Sequence, residues 1–416
     1  MALQLGTFSM GVGDRFGRQG RAQLAAFVAA AKAGISITPV WNKSNREHGI
    51  THTDPASVRA EADAAVRALG WAGEYHVDAD HISLKNVDGF IAPSSFFTLD
   101  VADFVGVAAP EAEIAAFVER HGRFVGKLSI PGIGKPFDVT PATIEAAARK
   151  YLHAVREAGK IYRHIEKTKG AGTFVTEVSM DETNAPQTPV ELLFILAAVA
   201  EEKIPAQTIA PKFTGRFNKG VDYVGDVQAF EREFNEDICV IRFAVAQFGL
   251  PANLKLSLHS GSDKFSIYPA IRAALKRHSA GLHVKTAGTT WLEEIAALAA
   301  AGGSGLDIAR EAYAAAHARF DEFCGPYATV IDIARAKLPT VDAVRGWDGA
   351  RFARAIRHDQ KCPEYDANVR QLLHVGYKAA AEMGARYAQA LSEHERAIAD
   401  SVTANILERH MKAIFF

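Results

Sequence analysis

Residues 174–182 read FVTEVSMDE, residues 254–264 read LKLSLHSGSDK, and residues 282–288 read LHVKTAG. Each alternates as a strand does, but one face of each is not the apolar face that a core requires. In the first, Val175, Glu177, Ser179 and Asp181 share a face; in the second Lys255, Ser257 and His259; in the third His283 and Lys285. The opposite faces carry Phe, Thr, Val and Met, then three Leu, then Leu, Val and Thr, and suit packing under helices. Carboxylate, imidazole and ammonium groups turned into a fold are costly unless they bind something. Such strands belong to an enzyme whose active site lies at the ends of its strands.

Working outward, the same alternation recurs at 6–12, 35–41, 74–81, 95–101 and 207–213, giving eight candidate strands with 174–180, 254–260 and 282–287. Helical patterns lie between them at 19–33, 55–69, 187–203 and 226–248. Asp54-Pro55 and Thr188-Pro189 mark helix starts, and Gly34 and Gly70 mark stops. Strand–helix alternation implies a parallel sheet, and eight repeats imply an α/β fold of the (β/α)8 TIM-type barrel rather than an open doubly wound sheet. The expected organisation is a barrel over 1–300 with an insertion at about 102–172, then a helical C-terminal extension over 301–416. Within the insertion, 124–130 (FVGKLSI) competes with 95–101 for the fourth strand. GVGDRFG (11–17) has the wrong spacing for a dinucleotide fingerprint.

The chain has 416 residues, 48% hydrophobic and 23% charged, with a formal net charge of −1. No global field draws it to nucleic acid or an anionic membrane. Cys239, Cys324 and Cys362, with no CxxC spacing, point to a reducing compartment rather than a disulfide framework or zinc ribbon. Without an apparent signal peptide or a long apolar span, the expectation is a cytoplasmic enzyme acting on a small molecule, with a homo-oligomer compatible with its helical tail.

In parallel barrels the site lies at the carboxyl ends of the strands. Those ends carry Asp14, Arg15, Lys43, Asp78, Asp80, His81, Asp100, Glu177, Asp181, Lys212, His259, His283 and Lys285. Two imidazoles from neighbouring strands and a carboxylate from a third, His259, His283 and Glu177, are the expected ligands of a divalent metal such as Zn, Mn, Ni, Co or Fe. Asp80 or Asp181 serves as acid/base. Strict alternation puts His81 on the face opposite Asp78 and Asp80. Asp14, Arg15, Lys43, Lys127, Lys212 and Lys285 are candidates to hold an anionic substrate, and Lys255, the deepest, is equally readable as a barrel-interior salt bridge. The glycine-containing turns GSDK (261–264) and AGTTW (287–291) offer backbone N–H groups to an anion. NKSNREHGITHTD (42–54) reads as a mobile substrate-contacting loop.

GVGDRFG, HVDADHI (76–82), TEVSMDE, PKFTGRFNKGVDYVGD (211–226), LSLHSGSDKFSIYP (256–269), HVKTAGTTWLEE (283–294) and LLHVGYKAAAEMG (372–384) together resemble the tagaturonate/fructuronate epimerases of bacterial hexuronate catabolism, through nearly the whole chain. The resemblance implies a metal-dependent barrel enzyme, isomerase in class, whose substrate is a keto-uronate or a neutral ketose such as fructose or tagatose. The metal role is carried onto Glu177, His259 and His283, and Asp80 stands beside it. Tagaturonate and fructuronate differ at C3, a carbon β to the C5 ketone, so loss of the C3 proton gains no enolate stabilisation. Retro-aldol cleavage between C3 and C4, rotation of the aldehyde and re-addition is the chemistry this implies. A metal-dependent sugar-acid aldolase, an aldose–ketose isomerase and a non-catalytic sugar-acid sensor are the competing readings.

Overall fold

In the computed structural model, which describes residues 2–285 and 289–416, eight parallel strands close into a barrel. In chain order the strands are β1 (Phe8–Gly13), β2 (Thr38–Ser44), β3 (His76–Ile82), β4 (Phe96–Asp100), β5 (Gly126–Leu128), β6 (Phe137–Val139), β7 (Val175–Ser179), β8 (Thr208–Ala210), β9 (Lys255–Leu258) and β10 (Leu282–Val284). Around the barrel the order is β1, β2, β3, β4, β7, β8, β9 and β10, and β10 pairs with β1. The fold is the (β/α)8 barrel with a helical C-terminal region that the alternation predicts.

Local chemistry accounts for the element ends. Asp54 accepts a hydrogen bond from the Ser57 N–H ahead of Pro55–Leu69, and Gly70 ends that helix at φ 59, a left-handed conformation. Thr188 and Glu191 form a reciprocal capping box at the start of Pro189–Glu201. The fourth barrel strand is β4. Residues 124–130 instead supply β5, which pairs antiparallel with β6 outside the barrel. Gly126 and Lys127 are exposed, so this strand lacks the two covered faces a barrel strand needs. Beyond the barrel, Gly303–Ala318 is followed by two short helical pieces, Phe320–Cys324 and Gly325–Tyr327. Further on, Ala367–Val375, Tyr377–Met383 and Ala385–Glu393 are separated at Gly376 and at Gly384, the latter at φ 55.

One apolar core lies between strands and helices, and a second, small one plugs the barrel base with Leu5, Val40, Phe96 and Val175. Beside this plug Lys255 makes no salt bridge among the described residues. Its Nζ donates to the carbonyls of Gly6 at 2.5 Å and Leu5 at 3.4 Å, backbone acceptors freed where the chain enters β1. Above the plug the interior turns polar, as the alternation requires. Register sets Thr98 beside Glu177, Glu177 beside Thr208, and His283 between Ser9 and Ser257. Glu395–Ala404 packs on Gly20–Lys32 and Thr289–Ala301, and the Phe415 ring lies 5.0 Å from that of Phe8.

Candidate active site

The mouth of the barrel is organised by an irregularity in β3. The register of β3 against β4 shifts between Ala79 and Ile82, and His81 sits at φ 52. A bulge inserts a residue and re-aims the next side chain. His81, expected on the outer face by strict alternation, therefore turns into the mouth, with Nε2 3.7 Å from Asp80 Oδ1 and Nδ1 3.4 Å from Asp100 Oδ2. Its ring meets that of His259 edge-on at 5.0 Å. Burial opposes charge on His81, but Asp80 and Asp100 outweigh it and push the imidazole up to about 10. Carboxylates that favour a proton there favour any cation.

Below this, Lys285 occupies the barrel axis. Its Nζ is 2.7 Å from Asp80 Oδ1, 3.0 Å from Asp78 Oδ2 and 3.7 Å from Glu177 Oε1, and it donates to Thr98 Oγ1 at 2.7 Å. Burial raises Asp78 to about 6 despite this lysine; Asp80, facing both Lys285 and His81, is instead held at about 2 against the same burial. Glu177 is fully buried and fully engaged, with Oε1 2.7 Å from His259 Nε2 and Oε2 accepting from Thr208 Oγ1 at 2.8 Å. The other nitrogen, His259 Nδ1, lies 3.1 Å from Asp181 Oδ1 but outside hydrogen-bond geometry.

Among the described residues, one set of donors converges as a metal ion requires: His81, Asp181 and His259 each offer an atom within 4.8 Å of the others. His259 belongs to the expected triple, but Glu177 and His283 do not join this set. Glu177 stands behind His259. His283 lies deeper, with Nδ1 2.9 Å from Ser9 Oγ and its ring against Phe96 at 5.2 Å, and burial depresses it to about 3. The donor set of two imidazoles and a carboxylate fits a divalent transition metal. The orphaned His259 nitrogen beside Asp181, with a carboxylate on the far side of the ring, is the arrangement that orients a ligating histidine.

A pocket of about 340 Å³ opens over these groups. Asp80, His81, Asp181, His259 and Lys285 form its floor, and Arg15, Glu47, Lys219, Tyr327 and His374 form its walls. Two of these, Tyr327 and His374, come from the C-terminal helical region, whose contribution strand-end reasoning does not anticipate. Lys219, in the long turn after β8, was also missed, because nothing local distinguishes it from a solvated lysine.

Several expected substrate contacts do not reach the pocket. Asp14 instead organises its own turn, accepting from the N–H groups of Phe16, Arg18 and Gln19. Lys43 Nζ donates to the Arg15 carbonyl at 2.6 Å and Thr53 Oγ1 at 2.9 Å, while Lys212 does not line the pocket. Lys127 is an exposed residue of the β5–β6 hairpin, paired with Asp138 at 2.5 Å. The hairpin lies outside the barrel, which removes Lys127 from the pocket. Arg15 does line the pocket, held by Glu47 at 3.0 Å and stacked over Tyr377. The expected loop 42–54 is partly a helix, Asn45–Thr51, started by a Ser44–Glu47 capping box. Of the two glycine-containing turns, Ala287 and Gly288 lie outside the described residues. In the other, Lys264 Nζ is buried on three carbonyls, those of Asn218, Val221 and Ser262, so that turn is filled from within.

Residues 1–414 match the model of the tagaturonate epimerase family. The tagaturonate/fructuronate epimerase of Thermotoga maritima is 30% identical over an alignment of 426 residues, covering 97% of this chain and 80% of that protein. A glycerol-complexed crystal structure of the fructuronate-tagaturonate epimerase of Cohnella laeviribosi matches with a TM-score of 0.81 at 23% identity, over 99% of this chain and 82% of the other. A probable tagatose 6 phosphate kinase from Sinorhizobium meliloti matches more loosely, with a TM-score of 0.50 at 12% identity over 98% of this chain and 100% of the other. These two structural matches bear on the fold alone.

Proposed function

The chain belongs to the tagaturonate epimerase family, and we propose that it interconverts D-tagaturonate and D-fructuronate with the help of a divalent metal, by breaking and re-forming the C3–C4 bond. The observation that carries the metal reading is the convergence of His81, Asp181 and His259 in a mouth where carboxylates outnumber permanent cations. A divalent cation bound there supplies Lewis-acid stabilisation of the charge left on the ketone-bearing fragment when C3 and C4 separate.

The chain's own groups do the rest. Glu177 accepts from His259 Nε2 and fixes the tautomer and orientation of that ring. With Asp181 in the ligand set, Asp80 is the carboxylate left to take the C3 hydroxyl proton and return it to the other face. Lys285 Nζ, 2.7 Å from Asp80 and 3.0 Å from Asp78, holds that carboxylate in the pocket floor. The walls retain the aldehyde fragment between cleavage and re-addition, so an epimerase rather than an aldolase results.

The test joins metal and mechanism. Chelation is expected to abolish conversion of tagaturonate, and a divalent transition metal to restore it. Substrate deuterated at C3 is expected to give fructuronate that keeps its label, because the C3–H bond is never broken. Full turnover in verified metal-free protein sinks the metal reading, exchange of the label with solvent sinks the cleavage mechanism, and accumulation of smaller fragments makes the enzyme an aldolase.

A further inference from the structure

Building on the epimerase reading, we propose that Lys219, Ser260 and His374 form the subsite that takes the substrate's carboxylate. Of the cations lining the pocket, Arg15 is matched by Glu47 and Lys285 by Asp78 and Asp80, while Arg46 is exposed at the rim, lying over the Tyr327 ring and donating to the Pro326 carbonyl. Lys219 differs from all three. Its Nζ donates to a neutral hydroxyl, Ser260 Oγ, at 3.0 Å, and no carboxylate among the described residues lies within ion-pair distance of it. A half-buried ammonium that faces a pocket without an ion-pair partner is free to donate a charge-assisted hydrogen bond to an anionic ligand.

The site is built rather than accidental. Lys219 N–H donates to the Val330 carbonyl at 2.8 Å. On one side of it the Asn218 carbonyl accepts from buried Lys264 Nζ at 2.8 Å; on the other, the Gly220 carbonyl accepts from buried Arg370 Nε at 2.5 Å. Two buried cations thus hold the backbone on either side of Lys219, which fixes where its side chain starts. Ser260 directly follows His259 and adopts φ 49, an uncommon conformation for a residue with a side chain, of the kind found where function demands it.

His374 supplies an independent observation. It is 3% exposed, and its Nε2 lies 3.3 Å from Arg15 Nη2, a group that can only donate. Nε2 must therefore accept, and the neutral ring carries its proton on Nδ1, which is buried and without a hydrogen-bond partner among the described residues. Lys219, Ser260 and His374 also line a small cavity beside the main pocket, where the nearby carboxylate, Asp263, is already taken by Arg370 at 3.0 Å. An ammonium, a hydroxyl free to turn and an imidazole N–H are all donors, and a carboxylate is all acceptor. The chain position of Ser260 sets this cluster next to the His81–Asp181–His259 group, as a substrate needs whose carboxylate lies a short way along the carbon chain from C3. A hydroxymethyl group in the same place leaves the ammonium desolvated and unmatched, which disfavours the neutral sugar.

The experiment uses the full-length, metal-loaded protein and its Lys219→Met and Lys219→Arg variants. Lys219→Met is expected to keep its metal content and melting temperature, and to lose about 10- to 100-fold in kcat/KM for tagaturonate, mainly through KM. Affinity for D-galactonate, a sugar acid without the ketone, is expected to fall by the same factor in calorimetry. Lys219→Arg should recover most of both. Unchanged galactonate affinity in Lys219→Met, or a defect traced to lost metal, overturns the subsite. A wild-type protein that binds galactonate through Lys219 yet leaves tagaturonate unconverted ends the epimerase reading and leaves the subsite standing.

Discussion

Beneath the barrel mouth, Asp78, Asp80, Asp100, Glu177 and Asp181 gather around one permanent cation, Lys285, and two imidazoles. Four residues beyond His259, in the loop after β9, Asp263 is gripped instead by Arg370 at 3.0 Å, with His358 and His410 each 3.7 Å away. Both clusters are buried and both join distant parts of the chain. The first has excess negative charge and opens on a pocket; the second balances one carboxylate against one guanidinium and is sealed. Excess charge that reaches solvent calls for a ligand, whereas matched charge under helices holds parts together. Arg370 also binds the carbonyls of Gly220 and Ile356, so the sealed cluster ties the site loops to the C-terminal helices.

Breaking the open cluster should have the largest effect on function. His259→Ala removes one converging donor and is expected to lower turnover on the order of 10³-fold or more, with metal content falling in elemental analysis while the circular dichroism stays native. Retained metal and activity would show that the ion, if any, sits elsewhere.

Breaking the sealed cluster should cost stability first. Arg370→Met strands Asp263 and is expected to destabilise the protein by about 3–5 kcal/mol in urea unfolding. Asp263→Asn added to it should recover part of that loss, since the uncompensated charge is then gone. Burial pushes the Asp263 carboxyl up, but Arg370 and the histidines hold it well below the usual range. Because its folded value is depressed, its contribution is fully present above the unfolded value of about 3.9 and is lost as pH falls through the folded value. Wild type should therefore lose stability on acidification below about pH 4 through this group, and Asp263→Asn should flatten that part of the profile.

A smaller effect sharpens the roles inside the open cluster. Glu177→Gln should weaken metal binding by about 10- to 100-fold without abolishing it, as removal of an outer carboxylate does. A loss equal to that of His259→Ala would make Glu177 a ligand in its own right, as the strand-face reading expects. The smallest effect is expected outside both clusters: Lys127→Ala should change stability by no more than about 0.5 kcal/mol and leave kinetics untouched, because its partner Asp138 is as exposed as it is.

Much of this was legible in the sequence because it is local. Side chains alternate with period two along any strand, so the inward polar rows holding Glu177, His259 and Lys285 followed from reading 174–182, 254–264 and 282–288 once strands were assumed. Pro after Asp54 or Thr188 punctuates helices by the same local logic, and eight strand–helix repeats admit few closed folds. Tertiary structure alone decided the rest. The bulge that turns His81 inward depends on how β3 pairs with β4, and 124–130 lost its place in the barrel because β4 meets β7 directly. Lys219 became a site residue only through Arg370 and Lys264, whose side chains cross from other parts of the chain to hold its neighbours. Alternation and capping are properties of a few consecutive residues; which strands pair, and which distant cation reaches which carbonyl, depend on the whole chain being folded.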